Sequence, residues 1–285
     1  MDLVIRRARP SDKRGVNAAV RTIWGGNDRV PGEFDRWVTH RTGPFFIAES
    51  AGRIVGMGKL TVVNEDEGWL EGGRVAPHWR RRGIATALIA HRIAVARERR
   101  LRVLRFSTGS DNTPIHRAAR RFGFRRVAVM WRHEAPATAG DPPARARPAD
   151  ADRVARLVGP FIQQGHGWEW RTLTADDVLA AERRGRVFVA GRGVQAAAIL
   201  GHPYNGSLMV IALGGRGRAM RELLSGLRAE AGRRDLDDAS MYVANAAQGR
   251  AARSAGYRPP WSGRAYLFER RLTPRAGSGP SPARR

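Results

Sequence analysis

Cysteine is absent from this 285-residue chain. Without thiols the protein forms no disulfides and has no thiolate nucleophile, and it tolerates a reducing interior. Lysine and tyrosine are also scarce, since Lys13 and Lys59 are the only lysines among 51 basic residues and Tyr204 is the first of four tyrosines. The first 203 residues therefore offer no phenol as a proton donor.

Long apolar runs are missing as well. No segment approaches the roughly 20 consecutive apolar residues that a membrane span requires. The N-terminus becomes charged within seven residues, at Arg6 and Arg7, which is unlike a signal peptide. We therefore expect no membrane partner and a cytoplasmic location.

The net charge of +25 comes almost wholly from arginine. The arginines are scattered over the chain instead of forming the concentrated stripe, interleaved with base-reading partners, that specific nucleic-acid binding requires. A biased codon usage explains the excess equally well. We expect only non-specific attraction to polyanions at low salt, and no specific nucleic-acid partner.

The most informative segment runs from Val75 to Leu88, with the sequence VAPHWRRRGIATAL. A predicted strand enters an Arg- and Gly-rich turn, and the turn opens a helix. The first backbone N–H groups of a helix have no partner inside it, and the helix dipole favours an anion there. Gly83 and Ala85 keep side-chain bulk away, and three arginines add charge. The pattern Arg-x-x-Gly-x-Ala therefore predicts a pyrophosphate cradle, which is neither a dinucleotide fingerprint nor a Walker loop.

This segment resembles the GNAT superfamily of acyl-CoA-dependent N-acyltransferases, whose motif reads Gln/Arg-x-x-Gly-x-Gly/Ala after a strand ending Val-x-Pro. A second marker agrees: Asn112 follows a predicted strand and precedes a helix that is closed by Gly123-Phe124. The resemblance implies acetyl-CoA as cosubstrate and no metal. The cofactor-binding residues that it implies are Val75, Arg80, Arg81, Arg82, Gly83, Ile84, Ala85, Thr86 and Asn112.

The chain repeats itself. Arg9-Pro10-Ser11-Asp12 returns as Arg147-Pro148-Ala149-Asp150, and the spacing from Asn112 to Gly123 returns between Asn245 and Gly256. We therefore predict an α/β (α+β) protein of two tandem GNAT domains, each a mixed, mostly antiparallel twisted sheet flanked by helices. The expected bounds are a catalytic domain at 1–134, a linker at 135–146, a second domain at 147–272 and a disordered tail at 273–285.

The second copy lacks part of the chemistry. Opposite the Arg-x-x-Gly-x-Ala pattern it has Gly214-Gly215-Arg216-Gly217-Arg218-Ala219, so the leading arginine is lost. The preceding strand, 208–213, contains no carboxylate. We interpret this copy as degenerate.

Acyl transfer to an amine requires a neutral nitrogen, and Glu71 lies on the strand just before the cradle. In similar enzymes a Glu on this strand deprotonates the acceptor, often through water; a solvent-facing strand Glu is the alternative. Gly72 and Gly73 allow a bulge where, in the family's fold, this strand splays from the next. The resemblance places the pantetheine arm in that opening, with the Val75 N–H as a donor to the developing oxyanion.

One departure concerns the general acid. Many GNAT enzymes carry a Tyr seven residues after the Asn, and that position here is Ala119. His116 lies one helical turn earlier on the same face and is the nearest titratable candidate. A merely packed His116, with water supplying the proton, is the other interpretation.

Acceptor candidates come from the region 24–37, where the form Asn-Asp-x-Val-Pro-x-x-Phe-x-x-Trp loosely resembles a subgroup that includes histidine N-acetyltransferases. Asp28 and Glu33 could hold a cationic acceptor, although first-turn acids often only stabilise a helix. Trp24 is a further candidate, but Trp24, Phe34 and Trp37 also fit core spacing. In the second half, Trp168 and Glu169 belong to an aromatic loop, 163–170, that either covers a shared cleft or packs the second core.

Three functions remain open at this point. The first is an N-acetyltransferase acting on a small amine such as an amino acid, a metabolite or an antibiotic. The second is a protein N-acetyltransferase, and the third a non-enzymatic module that senses acyl-CoA or binds nucleic acid. A homodimer is left open.

Overall fold

The computed structural model describes residues 2–41, 43–164 and 167–272. The predicted tail at 273–285 lies outside these residues. The helices within them are α1 (Lys13–Val20), α2 (Val30–Thr39), α3 (Ile84–Glu98), α4 (Thr113–Arg121), α5 (Ala151–Val158), α6 (Ala175–Arg183), α7 (Gly217–Arg233) and α8 (Ala246–Ser254). The strands are β1 (Val4–Arg7), β2 (Phe45–Ser50), β3 (Arg53–Val62), β4 (Glu67–Val75), β5 (Val103–Gly109), β6 (Arg125–Pro136), β7 (Ala144–Arg145), β8 (Phe161–Gln163), β9 (Trp170–Thr172), β10 (Val187–Ala190), β11 (Ala196–Leu200), β12 (Ser207–Gly215), β13 (Asp238–Val243) and β14 (Ala265–Arg271).

The chain divides into two compact units. The first consists of Met1–Phe106, His116–Arg125 and Glu269–Arg285, and the second of Ser107–Ile115 and Arg126–Phe268. These bounds differ from the predicted division at 134, because β6 lies mostly in the second unit although it precedes the predicted linker. Most of β6 belongs to the second unit, where it pairs with β13, and the end of β14 belongs to the first.

In the first unit the strand order is β1-β2-β3-β4-β5, with antiparallel pairing through β4 and parallel pairing between β4 and β5. Side chains alternate along β2: Phe45 and Ile47 pack with α1 and α2, whereas Phe46 and Ala48 pack with α3. The β4 glutamate at position 71 is the register partner of Lys59 on β3.

A buried ion-pair network holds the C-terminal residues in the first unit. Arg105 on β5 bridges Glu67 on β4 and Glu269 on β14, each at 2.8 Å, and its side chain is only 6% exposed. The Leu272 N–H also donates to the Arg102 carbonyl at 2.7 Å. Through these contacts the C-terminal residues of β14 lie beside β5 in the first unit.

The second unit has the strand order β7-β10-β11-β12-β13-β6-β14. From β7 through β6 its pairs are antiparallel except β12 with β13, so this sheet is also mixed. One side packs on α7 and α8, around Leu223 and Tyr257, and the other on α5 and α6. The mixed, mostly antiparallel α/β fold predicted from the sequence is confirmed.

The predicted linker at 135–146 is corrected at both ends. Ala135 is 1% exposed and ends β6 together with Pro136, and Ala144 and Arg145 form β7 against β10. Alternation is weak in this Pro- and Ala-rich segment, so its pattern does not predict strand pairing there.

Candidate active site

A bulge interrupts β4 next to Glu71. Met57 pairs with Arg74 and Lys59 with Glu71, so Gly72 and Gly73 together face the single residue Gly58. Gly72 has a φ of +62°, and a Cβ there would lie 2.6 Å from the Trp37 ring. Only glycine meets both requirements at position 72.

Arg92 of α3 lies on the other face of this bulge. Its Nη1 donates to the carbonyls of Lys59 and Glu71, each at 3.3 Å. A Cβ at Gly58 would come within 2.7 Å of the guanidinium carbon, so that glycine makes room for it. Burial lowers the pKa of Arg92 to about 10, although the nearby Glu71 opposes the shift. The cation fixes the backbone of both strands at the bulge.

The Glu71 side chain points to the α1–α2 face of the sheet and is 10% exposed. Its Oε1 accepts from the Thr61 hydroxyl at 2.6 Å, and its Oε2 accepts from Arg29 Nη2 at 3.1 Å. The Arg29 guanidinium is 54% exposed and lies 5.5 Å from the centroid of the Trp37 ring. The carboxylate is thus held by one short hydrogen bond and one half-exposed ion pair.

The strand β4 separates from β5 after three residues. Glu67, Gly68 and Trp69 pair with β5, and residues 70–75 continue with no β5 partner in the described part of the first unit. Val75 is the register partner of Gly56. The next pair, Ala76 with Val55, is hydrogen-bonded, since the Ala76 N–H donates to the Val55 carbonyl at 2.9 Å. Bonded and non-bonded pairs alternate in an antiparallel ladder, so the Val75 N–H points away from β3, to the side left open by β5. The predicted splay is confirmed.

The predicted cradle stands at the end of β4, where α3 begins. Gly83 is the N-cap with a φ of +81°, no side chain among the described residues caps the helix there, and a Cβ at Gly83 would meet nothing within 4 Å. Gly83 and Ala85 are exposed and Thr86 is half-buried, whereas Ile84 is 1% exposed and anchors the first turn in the core. The first-turn N–H groups therefore face open space, as an anion site requires.

Three exposed arginines surround this turn. Arg80 donates to the Val75 carbonyl at 3.4 Å, Arg81 has a φ of +61°, and Arg82 lies 4.9 Å from the Trp79 ring centroid. No carboxylate of the described residues forms an ion pair with them. Their charges are available to a polyanion.

The predicted acceptor residues have other partners. Asp28 has a side chain only 1% exposed; it accepts from Arg74 Nε at 2.6 Å and from the Val30 N–H at 2.9 Å. Glu33 pairs with Arg36 on the same helix face. These contacts give both acids structural roles in α2 and its start.

Trp24 does not pack in the core. It is 64% exposed in a 3-10 turn with a φ of +49°, and Arg74 lies 4.3 Å from its ring centroid. Phe34 and Trp37, in contrast, are fully buried, as core spacing predicted. Helical spacing failed for Trp24 because α2 begins only at Val30.

The remaining predicted residues are distributed over α4 and the second unit. His116 is half-buried on α4 in the first unit, and Ala119 of the same helix is 3% exposed. Asn112 is exposed in the second unit, and its Nδ2 donates to Thr108 Oγ1 at 2.9 Å.

The aromatic loop lies between β8 and β9 of the second unit. The Trp168 carbonyl accepts a hydrogen bond from the Ser107 hydroxyl. The Trp168 ring stacks on the Trp261 ring, with centroids 5.5 Å apart. The Glu169 carbonyl accepts from the Gln164 N–H at 2.8 Å. Gly165 and His166 of this loop lie outside the described residues.

The second unit repeats the splayed strand pair. The strand β12 pairs with β13 only from Ser207 to Val210. Beyond that point the Gln248 side chain fills the space: its Nε2 donates to the Leu213 carbonyl at 3.3 Å and its Oε1 accepts from the Ala244 N–H at 2.7 Å. Gln248 is 7% exposed. Gln248 lies three residues after Asn245, and the corresponding residue of the first copy, three after Asn112, is Ile115.

Within residues 2–41, 43–164 and 167–272, no group of three or more His, Asp or Glu side chains is arranged to hold a metal ion. None of their helices is both long and apolar enough to cross a membrane.

Comparison with known proteins identifies the N-terminal segment. Residues 17–124 match the model of the Acetyltransferase (GNAT) family. Over 74 residues the chain is 32% identical to the "Uncharacterized N-acetyltransferase YedL" of Escherichia coli (strain K12), a match that covers 25% of this chain and 46% of that protein. These matches show that the segment 17–124 is similar to GNAT acetyltransferases. The chain spans about half the length of this curated relative.

Solved structures show the fold of the whole chain. A GCN5-related N-acetyltransferase from Sphaerobacter thermophilus covers 94% of this chain and is itself covered to 95%, with a TM-score of 0.62 and 16% identity. A provisionally named acetyltransferase from Thermoplasma acidophilum covers 94% and is covered to 100%, with a TM-score of 0.61 and 17% identity. Both halves of the chain thus lie within known GNAT folds.

Sequence reasoning missed the residues that surround Glu71. Arg29 and Thr61 contact its carboxylate, and Lys59 lies opposite it on β3. The pairing of β3 with β4 could have indicated Thr61 and Lys59, since both alternate onto the same face as Glu71. Arg29 lies outside any strand and gives no such signal.

Proposed function

We propose that the protein is an acetyl-CoA-dependent N-acetyltransferase that transfers an acetyl group to the primary amine of a small molecule within a ternary complex. The observation that carries this proposal is the course of β4. The strand β4 contains the partly shielded carboxylate of Glu71 and the outward-pointing N–H of Val75. It leads directly to the start of α3 at Gly83, which is uncapped among the described residues and flanked by arginines. The GNAT match over residues 17–124 supports the same conclusion.

The cradle fits the diphosphate of coenzyme A. A Cβ at Gly83 would meet no atom within 4 Å, so the turn leaves room at the backbone itself. The N–H groups of Ile84, Ala85 and Thr86 would hold the diphosphate, with Arg80, Arg81 and Arg82 adding charge. Acetyl-CoA, when bound, supplies an activated acetyl thioester.

Glu71 would act as the general base for the acceptor. A primary amine is mostly protonated at neutral pH, so a nearby carboxylate raises the reactive fraction. The Thr61 hydroxyl fixes one carboxylate oxygen of Glu71 and leaves the other, whose partner among the described residues is Arg29, to accept the proton. The Val75 N–H would stabilise negative charge that develops on an oxygen in the opening.

His116 is the proposed general acid, with water as the alternative, because Ala119 stands where related enzymes have Tyr. Asn112 would bind the pantetheine arm, and we propose the second unit as a degenerate copy of the first. We also propose a cytoplasmic location, where acetyl-CoA is available.

The experiment that tests this function is release of free CoA thiol in the presence of a panel of primary amines. Because the protein has no cysteine, a thiol reagent gives no protein background. A thermal shift with acetyl-CoA is measured in parallel. Absence of both a shift at millimolar acetyl-CoA and any amine-dependent CoA release would refute the proposal.

A further inference from the structure

Three cations surround the Glu71 carboxylate and its backbone. Arg29 contacts the carboxylate, Arg92 contacts the Glu71 carbonyl, and Lys59 is its cross-strand partner on the same face. Directly opposite side chains in an antiparallel pair have Cβ atoms about 5 Å apart. Lys59 is fully buried and its Nζ donates to the Gly43 carbonyl at 3.3 Å. The proposed base therefore stands in a positive environment.

The same field reaches His40, which follows α2. Burial lowers the pKa of His40, and the charges of Lys59 and Arg36 lower it further, whereas Glu71 opposes them. The acids on the α2 side, Asp28 and Glu33, are already paired with Arg74 and Arg36. A second positive charge on the acceptor would meet repulsion in this region, and a negative charge would be attracted.

Arg29 is the cation that can change partners. Its guanidinium is 54% exposed, rests against the face of Trp37, and makes one 3.1 Å contact to Glu71. Half-exposed ion pairs of this kind contribute little and break easily. A planar guanidinium that pairs with a carboxylate in bidentate fashion makes a stronger and more directional contact.

We infer that the acceptor is an amino carboxylate, such as a free amino acid, and that its carboxylate takes Arg29 from Glu71. This inference rests on the proposed function. The exchange couples recognition to chemistry: when the acceptor carboxylate binds Arg29, Glu71 Oε2 loses its cation and becomes free to accept the ammonium proton of the same molecule. Polycationic amines, such as polyamines and aminoglycosides, are disfavoured.

The test compares the twenty proteinogenic amino acids with their primary carboxamides, together with spermidine and kanamycin. Each amide keeps the amine and removes only the carboxylate. Because its amine is less basic, the amide has the larger neutral fraction, so a preference for the acid reports recognition. For wild type we expect kcat/KM for the preferred acid to exceed that for its amide by about 10- to 100-fold, the size of one charge-assisted pair.

Arg29→Gln should abolish this preference by raising KM for the acid. Its kcat with the amide should be retained or increased, because Glu71 is no longer held. A merely structural role for Arg29 would lower the rates with acid and amide alike. Arg21→Gln, an exposed arginine just after α1, is the matched control and should leave the preference intact.

Two outcomes overturn the inference. If wild type acetylates amides or spermidine as well as amino acids, amino-carboxylate recognition is refuted while the proposed N-acetyltransferase function stands. If Arg29→Gln lowers acid and amide equally, the exchange of partners is refuted. If acetyl-CoA does not bind and no amine is acetylated, the proposed function itself fails, and this inference fails with it.

Discussion

Arg29 and Glu71, 42 positions apart in the sequence, meet at 3.1 Å on the α1–α2 face of the first sheet. The contact joins the loop that precedes α2 to the strand that leads into the cradle. The proposed base, Glu71, is therefore paired with an Arg29 side chain that is half exposed.

Glu71→Gln should lower kcat by about 100- to 10,000-fold, the range expected for loss of a general base. The amide keeps the Thr61 contact but cannot take a proton, so acetyl-CoA binding should be unchanged. Steady-state kinetics and a thermal shift with acetyl-CoA measure the two effects separately. Glu65→Gln, in the exposed turn between β3 and β4, is the control and should be silent. Wild-type rates in Glu71→Gln would exclude Glu71 as the base.

Gly83→Asp should abolish acetyl-CoA binding, because it places a negative charge where the diphosphate is expected. Acetyl-CoA at about 100 times its Kd should stabilise wild type by about 2.7 kcal/mol, and the variant should show no stabilisation. Arg82→Ala should weaken binding to a smaller extent. Gly52→Asp is a close control, since Gly52 also has a positive φ of +67° and open space around it but lies in the β2–β3 turn. A normal shift in Gly83→Asp would place the cofactor elsewhere.

Arg105→Met should destabilise the protein by about 3–5 kcal/mol, because it leaves the carboxylates of Glu67 and Glu269 buried without their cation. Glu269→Ala should cost less, about 1–3 kcal/mol, since Arg105 keeps Glu67 as a partner. Urea unfolding monitored by tryptophan fluorescence gives both values. Equal costs for the two variants would show that Glu67 does not compensate the charge.

His133 should make the protein less stable in mild acid. Its ring is 3% exposed, its Nε2 has no hydrogen-bond partner among the described residues, and burial lowers its pKa. As pH falls below about 6.5, the unfolded chain binds the proton before the folded one, so the free energy of unfolding decreases until the folded ring titrates. His133→Phe should lose less stability between pH 7 and pH 5 than wild type in urea titrations.

Gln248 should limit the protein to one acetyl-CoA per chain. Its carboxamide already satisfies the Leu213 carbonyl and the Ala244 N–H in the opening of the second sheet. Calorimetric titration should therefore give a stoichiometry of one. Gln248→Ala should lower stability by about 1–3 kcal/mol for each group left unpaired. Binding of two equivalents by wild type would contradict this account.

Local patterns predicted the parts of the site that depend on local geometry. The Gly72-Gly73 bulge and the helix start at Gly83 follow from glycine chemistry and the order strand, turn, helix. The pairing of Asp28 with Arg74 was not predictable, because the two are 46 positions apart and either could have faced solvent. Trp24 was misplaced since its positive φ breaks the helical spacing.

The neighbours of the final strands also escaped prediction. Both β6 and β14 follow a helix and a closing glycine, so nothing in either segment specifies its neighbour. Arg105 helps to hold the observed arrangement in the first unit, because it pairs with Glu269 as well as with Glu67.

That arrangement has a consequence for how the protein is made. A ribosome releases the proposed catalytic residues within the first 120 positions, yet the strand end that contains Glu269 emerges only near the close of translation. The N-terminal unit therefore cannot mature co-translationally on its own. Cutting the gene at the boundary of the two halves would separate Glu269 from Arg105 and β6 from β13, and acetylation is then expected to require co-expression of both pieces.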